Sequence, residues 1–126
     1  MEFSEYQRRL DGLERECGWE RVLPSHTFVH MAEEMGEVAR LLECMEGYRE
    51  TDRSPEALRA DLAGELADLA GLIVKLANQH DIDMDAAMQA HLKKFVARTP
   101  DVEECRREMA RYVAYQERNL DWIRGK

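Results

Sequence analysis

The sequence predicts an all-α protein: an antiparallel four-helix-bundle core with an additional C-terminal helix. Three observations lead there. No stretch alternates apolar and polar residues as a half-buried strand does. Five segments carry apolar residues at helical spacing, and start or stop residues bound them. The chain has 126 residues, which suits one domain built on one core, about residues 4–99, followed by a helix over about 100–123.

In chain order, Ser4 with Gln7 three residues later reads as a capping box opening a helix that stops at Gly18. Trp19 to Ser25 is a loop, in which Trp19 is either a buried anchor or a ring free to stack on a base. A second helix runs from Ser25 to about Glu46, with Gly47 as its stop. Its apolar stripe is Phe28, Met31, Met35, Val38 and Leu42, and its methionines read as core filler. Ser54-Pro55 opens a third helix with a cap and a first-turn proline, and the helix ends near His80. Asp83 caps a fourth, with Met88, Leu92, Phe95 and Val96 at helical spacing. Thr99-Pro100 starts a fifth, with Val102, Cys105, Met109, Tyr112 and Val113 on one face. Ala67, Ala70, Gly71 and Val74, on the back of the third helix, are small or apolar and suit a second buried face.

The net charge of −8 argues against binding a nucleic-acid backbone, which needs Lys and Arg clusters. Three widely spaced cysteines, Cys17, Cys44 and Cys105, read as reduced thiols of a cytoplasmic protein. The charged N-terminus is unlike a signal peptide, and the apolar run 66–77 is too short for a membrane span.

Two acidic clusters break the apolar pattern. Glu33, Glu34 and Glu37 share one side of the second helix, with Glu34 at the border of its apolar stripe. In the third helix Glu65 lies in the middle of the stripe formed by Leu58, Leu62, Leu69, Leu72, Ile73 and Leu76, with Asp68 at its edge. An unpaired charge in a core costs several kcal/mol, so Glu65 must be protonated, hydrogen-bonded, paired with a cation or bound to a metal. If the two helices are antiparallel, Glu37 and Glu65 each lie roughly 14–15 Å from the connecting turn, and Glu34 and Asp68 roughly 18–20 Å. The two acidic pairs are then level. Four carboxylates so placed stay ionised only beside cations, and oxygen-preferring Mg²⁺ or Mn²⁺ suits them. Such a site suits metal-assisted attack of water on a phosphoanhydride. The competing readings are a solvated acidic face and a pairing of Glu65 with a base such as Lys75.

EEMGE (33–37) followed by ELAD (65–68) resembles the ExxE…ExxD signature of the MazG-like all-α nucleoside triphosphate pyrophosphohydrolases. The likeness runs from Gly18-Trp19 to Arg98 and includes LANQHDIDMDAAM before a basic segment. It implies Mg²⁺-dependent cleavage between the α and β phosphates of a nucleoside triphosphate, and usually a homodimer or homotetramer. By position it implies Glu34, Glu37, Glu65 and Asp68 as metal ligands and Glu33 as an accessory carboxylate, with Glu33 or Glu37 orienting the water. Lys94 and Arg98 match basic residues of the fourth helix, whereas His91 and Phe95 depart from the pattern Lys-x-x-Lys-Asn-x-x-Arg. Lys75, His30 and Trp19 complete the candidate substrate contacts, with pairing to neighbouring glutamates the alternative for His30. A related enzyme acting on phosphoribosyl-ATP and a non-enzymatic helical interaction module are the competing functions. A di-iron bundle is argued against, because no Glu is followed by His three residues later.

Overall fold

The computed structural model describes residues 1–99 and 101–125, and among them every regular element is helical. The helices are α1 (Phe3–Cys17), α2 (Pro24–Met45), α3 (Pro55–Asn78), α4 (Met84–Arg98) and α5 (Val102–Ile123), with a 3₁₀ turn at Trp19–Arg21 after α1. The all-α class and the extra C-terminal helix are as the sequence predicts. The chain divides into two compact units, Met1–Ala87 and Met88–Lys126.

Local chemistry explains most of the ends. Gly18 ends α1 in the left-handed conformation, at φ 74°, where a side chain would be strained. Ser54 Oγ accepts from Ala57 N at 3.1 Å and caps α3, whose first residue is Pro55. Asp83 caps α4 by accepting from Ala86 N.

Three expected ends move. Ser4 does not cap α1, which begins at Phe3, and Gln7 is spent elsewhere. Helix α2 begins one residue early, because Pro24 fits the first turn, where no donor is needed. The cap of α5 is Asp101, which accepts from Glu104 N, while Thr99 Oγ1 donates back to the Phe95 carbonyl. Pro100, expected to open α5, lies outside the described residues.

In the first unit α2 and α3 form an antiparallel hairpin, and α1 packs on α3. The inner face of α2 is Thr27, Met31, Glu34, Val38 and Leu41, five positions within one narrow arc. The expected stripe is therefore rotated. Phe28, Met35 and Leu42 are 62%, 58% and 41% exposed, and Met45 is exposed too, so these residues do not fill a core. The reason is polar: Thr27 bonds to Gln79 and Glu34 to Glu65, both across the hairpin, and turning them inward turns Phe28 and Met35 out. Fully buried apolar residues are few among those described, Leu58, Val74 and Ala77.

Helix α1 is tied to α3 by named contacts. The Tyr6 hydroxyl lies over Gly71, where an added Cβ would sit 3.2 Å from it. The Gln7 amide donates to Asn78 Oδ1 (2.9 Å) and to the Ile82 carbonyl (2.7 Å), and accepts from Met84 N (3.0 Å). One side chain thus joins α1 to the turn between α3 and α4. Asp81 in that turn holds φ 54°, a left-handed conformation that Asp tolerates better than most residues.

The second unit contains the rest of α4 and all of α5. Leu92, Phe95 and Val96 on α4 and Met109, Tyr112 and Trp122 on α5 are exposed. Arg118 stacks over the Tyr115 ring at 5.7 Å from its centroid. Cys17, Cys44 and Cys105 are free thiols, and no helix among the described residues is long and apolar enough to cross a membrane.

Candidate metal centre

The hairpin brings three of the acidic residues together. Glu34 of α2 and Glu65 and Asp68 of α3 each offer an oxygen, and these oxygens lie within 4.8 Å of one another. Glu34 and Glu65 are half-buried and Asp68 is exposed, so the cluster faces solvent from one side. It forms because Glu65 and Asp68 are one turn apart on α3 while Glu34 lies on the inner face of α2.

The electrostatics of Glu65 report the crowding. A hydrogen bond to Glu34 holds its carboxyl above the usual carboxylate range, and burial pushes it the same way. The charges of Glu34, Asp68 and Glu37 add to the shift. Without a cation, this crowding makes a proton on Glu65 easier to keep. A divalent cation does the same work with a larger charge and accepts carboxylate ligands from several sides. The residues present fit such an ion: oxygen donors only, convergent, and half open to water.

The other candidates are placed as follows. Glu37 is close enough to act on the Glu65 charge but is not one of the three convergent ligands. Glu33 is exposed on α2. His30 Nε2 sits 3.5 Å from Glu34 Oε1, the pairing with a neighbouring glutamate that the sequence offered as an alternative. Trp19 is 60% exposed in the 3₁₀ turn and is not a buried anchor. Lys94 and Arg98 lie exposed on the part of α4 that belongs to the second unit.

Lys75 is engaged elsewhere. Its Nζ lies 3.0 Å from Glu14 Oε2 on α1, with both side chains about one-seventh exposed or less. The pair lines a cavity of about 270 Å³ together with Asp11, Glu20, Asn78 and Gln79. Lys75 follows Asp68 by seven residues, a rise of roughly 10 Å, so this cavity lies toward the C-terminal end of α3. Its charge is matched by Glu14, a partner that spacing within one helix cannot reveal.

Sequence reasoning also missed Thr27 and Gln79, which join α2 to α3 through their side chains at 2.8 Å. A signal was present. Thr27 stands two turns before Glu34 on the same face, a polar residue in line with Met31 and Val38.

Comparison with known proteins agrees with this geometry. Residues 24–103 match the MazG nucleotide pyrophosphohydrolase domain. The match takes in α2, α3 and α4, hence every residue of the acidic cluster, and leaves out α1. The uncharacterized protein YvdC of Bacillus subtilis (strain 168) is 26% identical over 102 residues, which cover 78% of this chain and 96% of YvdC. No solved structure matches the chain. A domain match spanning more than half of the chain, laid over the carboxylate cluster, places it: the protein belongs to the MazG nucleotide pyrophosphohydrolase family.

Proposed function

We propose that the protein is a cytoplasmic, Mg²⁺-dependent nucleoside triphosphate pyrophosphohydrolase. It converts a nucleoside triphosphate to the monophosphate and pyrophosphate, and serves to clear unwanted nucleotides from the pool. The convergence of Glu34, Glu65 and Asp68 inside the MazG domain match supports this reading above all.

When bound, Mg²⁺ supplies charge neutralisation of the triphosphate and a lowered pKa for an attacking water. Mn²⁺ is the expected substitute, with the same preference for oxygen ligands. Glu34, Glu65 and Asp68 hold the cation, with Glu37 as a further ligand. Glu37 or Glu33 accepts the proton of the water and orients its oxygen. That oxygen bonds to phosphorus, the bridging P–O bond breaks, and the pyrophosphate oxygen leaves. His30 and Trp19 are the proposed contacts to the rest of the nucleotide. Lys75 would have to leave Glu14, with which it pairs, to reach a phosphate.

The test is pyrophosphate release from a panel of ribo- and deoxynucleoside triphosphates with Mg²⁺, with phosphoribosyl-ATP beside them. Pyrophosphate appearing with the monophosphate supports the reading and ranks the substrates. Cleavage of phosphoribosyl-ATP alone moves the activity to that competitor. No cleavage and no metal binding leave the interaction module.

The proposal includes a homodimer or homotetramer. Phe28, Ala32, Met35, Ala39 and Leu42 recur at intervals of four and three along the exposed side of α2. They form an uncharged row that a second copy of the hairpin would cover by helix packing. Leu42→Glu is expected to lower the mass measured by sedimentation. An unchanged mass would remove this row from the interface.

A further inference from the structure

Thr27 is 1% exposed, the most buried polar residue among those described. Its Oγ1 donates to Gln79 Oε1 at 2.8 Å. The Gln79 amide nitrogen donates in turn to the Val22 carbonyl at 2.8 Å and the Glu20 carbonyl at 3.4 Å. That amide therefore joins three segments: the end of α3, the start of α2 and the turn before it.

The position of this bond matters more than its strength. Thr27 lies on the same face of α2 as Glu34, about 10 Å away along the helix. Gln79 follows Glu65 by fourteen residues, and at about 100° per residue it falls on the same face of α3. The bond and the carboxylate cluster therefore occupy one seam. The other seam residues are Met31 and Val38 on one side and Leu62, Leu69, Leu72 and Leu76 on the other. Aliphatic and thioether side chains pack without strong directionality and tolerate small axial slides. The hydrogen bond between Glu65 and Glu34 also crosses the seam, but it belongs to the cation-free cluster, since both carboxylates would turn to a bound cation. The directional contact between α2 and α3 at this end is Thr27 to Gln79. A slip of one turn, about 5.4 Å, would exceed the span over which the three carboxylate oxygens now gather.

We propose that Thr27 and Gln79 are positioning residues for the cation site. They set the register of α2 on α3 that keeps Glu34 within reach of Glu65 and Asp68. The inference rests on the metal-site reading above and adds to it two residues that touch neither metal nor substrate.

The experiment is a cation titration of the whole chain, with Mn²⁺ followed by electron paramagnetic resonance and Mg²⁺ by calorimetry. Thr27→Val removes the hydroxyl at nearly constant volume, and Gln79→Leu removes the acceptor. Each is expected to weaken cation affinity by roughly tenfold or more, and Thr27→Ser to stay within about threefold of the wild type. Leu58→Ala is the control. It opens a hole in the buried core, lowers Tm, and is expected to leave affinity unchanged. Wild-type affinity in both folded variants would overturn the inference. So would an equal loss in Leu58→Ala, because the effect would then follow general destabilisation. If Thr27→Val does not fold, Gln79→Leu, at the helix end, decides alone. A wild type that binds neither cation overturns the metal reading and this inference together, whereas binding that ignores both substitutions overturns this inference only.

Discussion

Glu65→Gln is expected to cut pyrophosphate release by roughly a thousandfold, because losing a few kcal/mol of transition-state stabilisation costs a factor of ten for about every 1.4 kcal/mol. The amide keeps the size of the carboxyl and still donates a hydrogen bond toward Glu34. It would remove one negative oxygen ligand from the proposed cation. The loss should fall on kcat as well as on KM, since the proposed cation would act on both the bound phosphates and the attacking water. The metal-free variant should be at least as stable as the metal-free wild type, because the amide keeps a hydrogen bond to Glu34 and has no charge to bury or to repel its neighbours. Steady-state kinetics with a cleaved triphosphate, beside thermal melts without metal, separate these effects. Retention of a tenth or more of the activity would remove Glu65 from the metal centre.

The second large effect is on stability. In a hundredfold excess over Kd, a cation that binds only the folded chain adds about 2.7 kcal/mol, and for a chain of this length that raises Tm by roughly 10 °C. Glu65→Gln should show only a small part of the rise. The pH dependence has a definite sign. The folded Glu65 carboxyl lies above its unfolded value. Its contribution to stability is present below the unfolded pKa and is lost as pH rises through the raised folded value. Without metal, the wild type should therefore lose stability relative to Glu65→Gln as pH rises from the ordinary carboxylate range, about 4.3, toward neutrality. With Mg²⁺ the trend reverses, because the cation binds the deprotonated form. Melts at several pH values with and without Mg²⁺ check both arms. A metal-induced shift of equal size in the variant would place the cation elsewhere.

The helices were legible in the sequence because their signals are local. The Ser54 cap, Pro55 and Gly18 act on residues within one turn and need no knowledge of the rest of the chain. The cluster of Glu34, Glu65 and Asp68 was legible for a related reason. A carboxylate inside a leucine stripe is a local contradiction, and counting back from the turn brings the acidic turn of α2 beside it, although the count sets Glu37 level with Glu65 and the structure joins Glu34 to it.

The faces were less legible. Periodicity gives α2 an apolar side, yet Phe28 and Met35 stand exposed and Thr27 is sealed. What settled the rotation was a hydrogen bond to Gln79, 52 residues away. Gln7 likewise fits a capping box by spacing, but its amide reaches the turn between α3 and α4. Lys75 fits a phosphate contact by helical position, but Glu14 on α1 takes its charge.

The sequence by itself thus determined the helical class and an acidic group that includes Glu34, Glu65 and Asp68, with Glu37 falling outside the three that converge. Helix period, capping and charge burial are properties of short segments. Only the tertiary structure decided which side of α2 turns inward, where Lys75 spends its charge, and that Thr27 and Gln79 clasp the hairpin. Those outcomes depend on partners distant in sequence, and a polar side chain leaves water only where the fold supplies its hydrogen-bond partner.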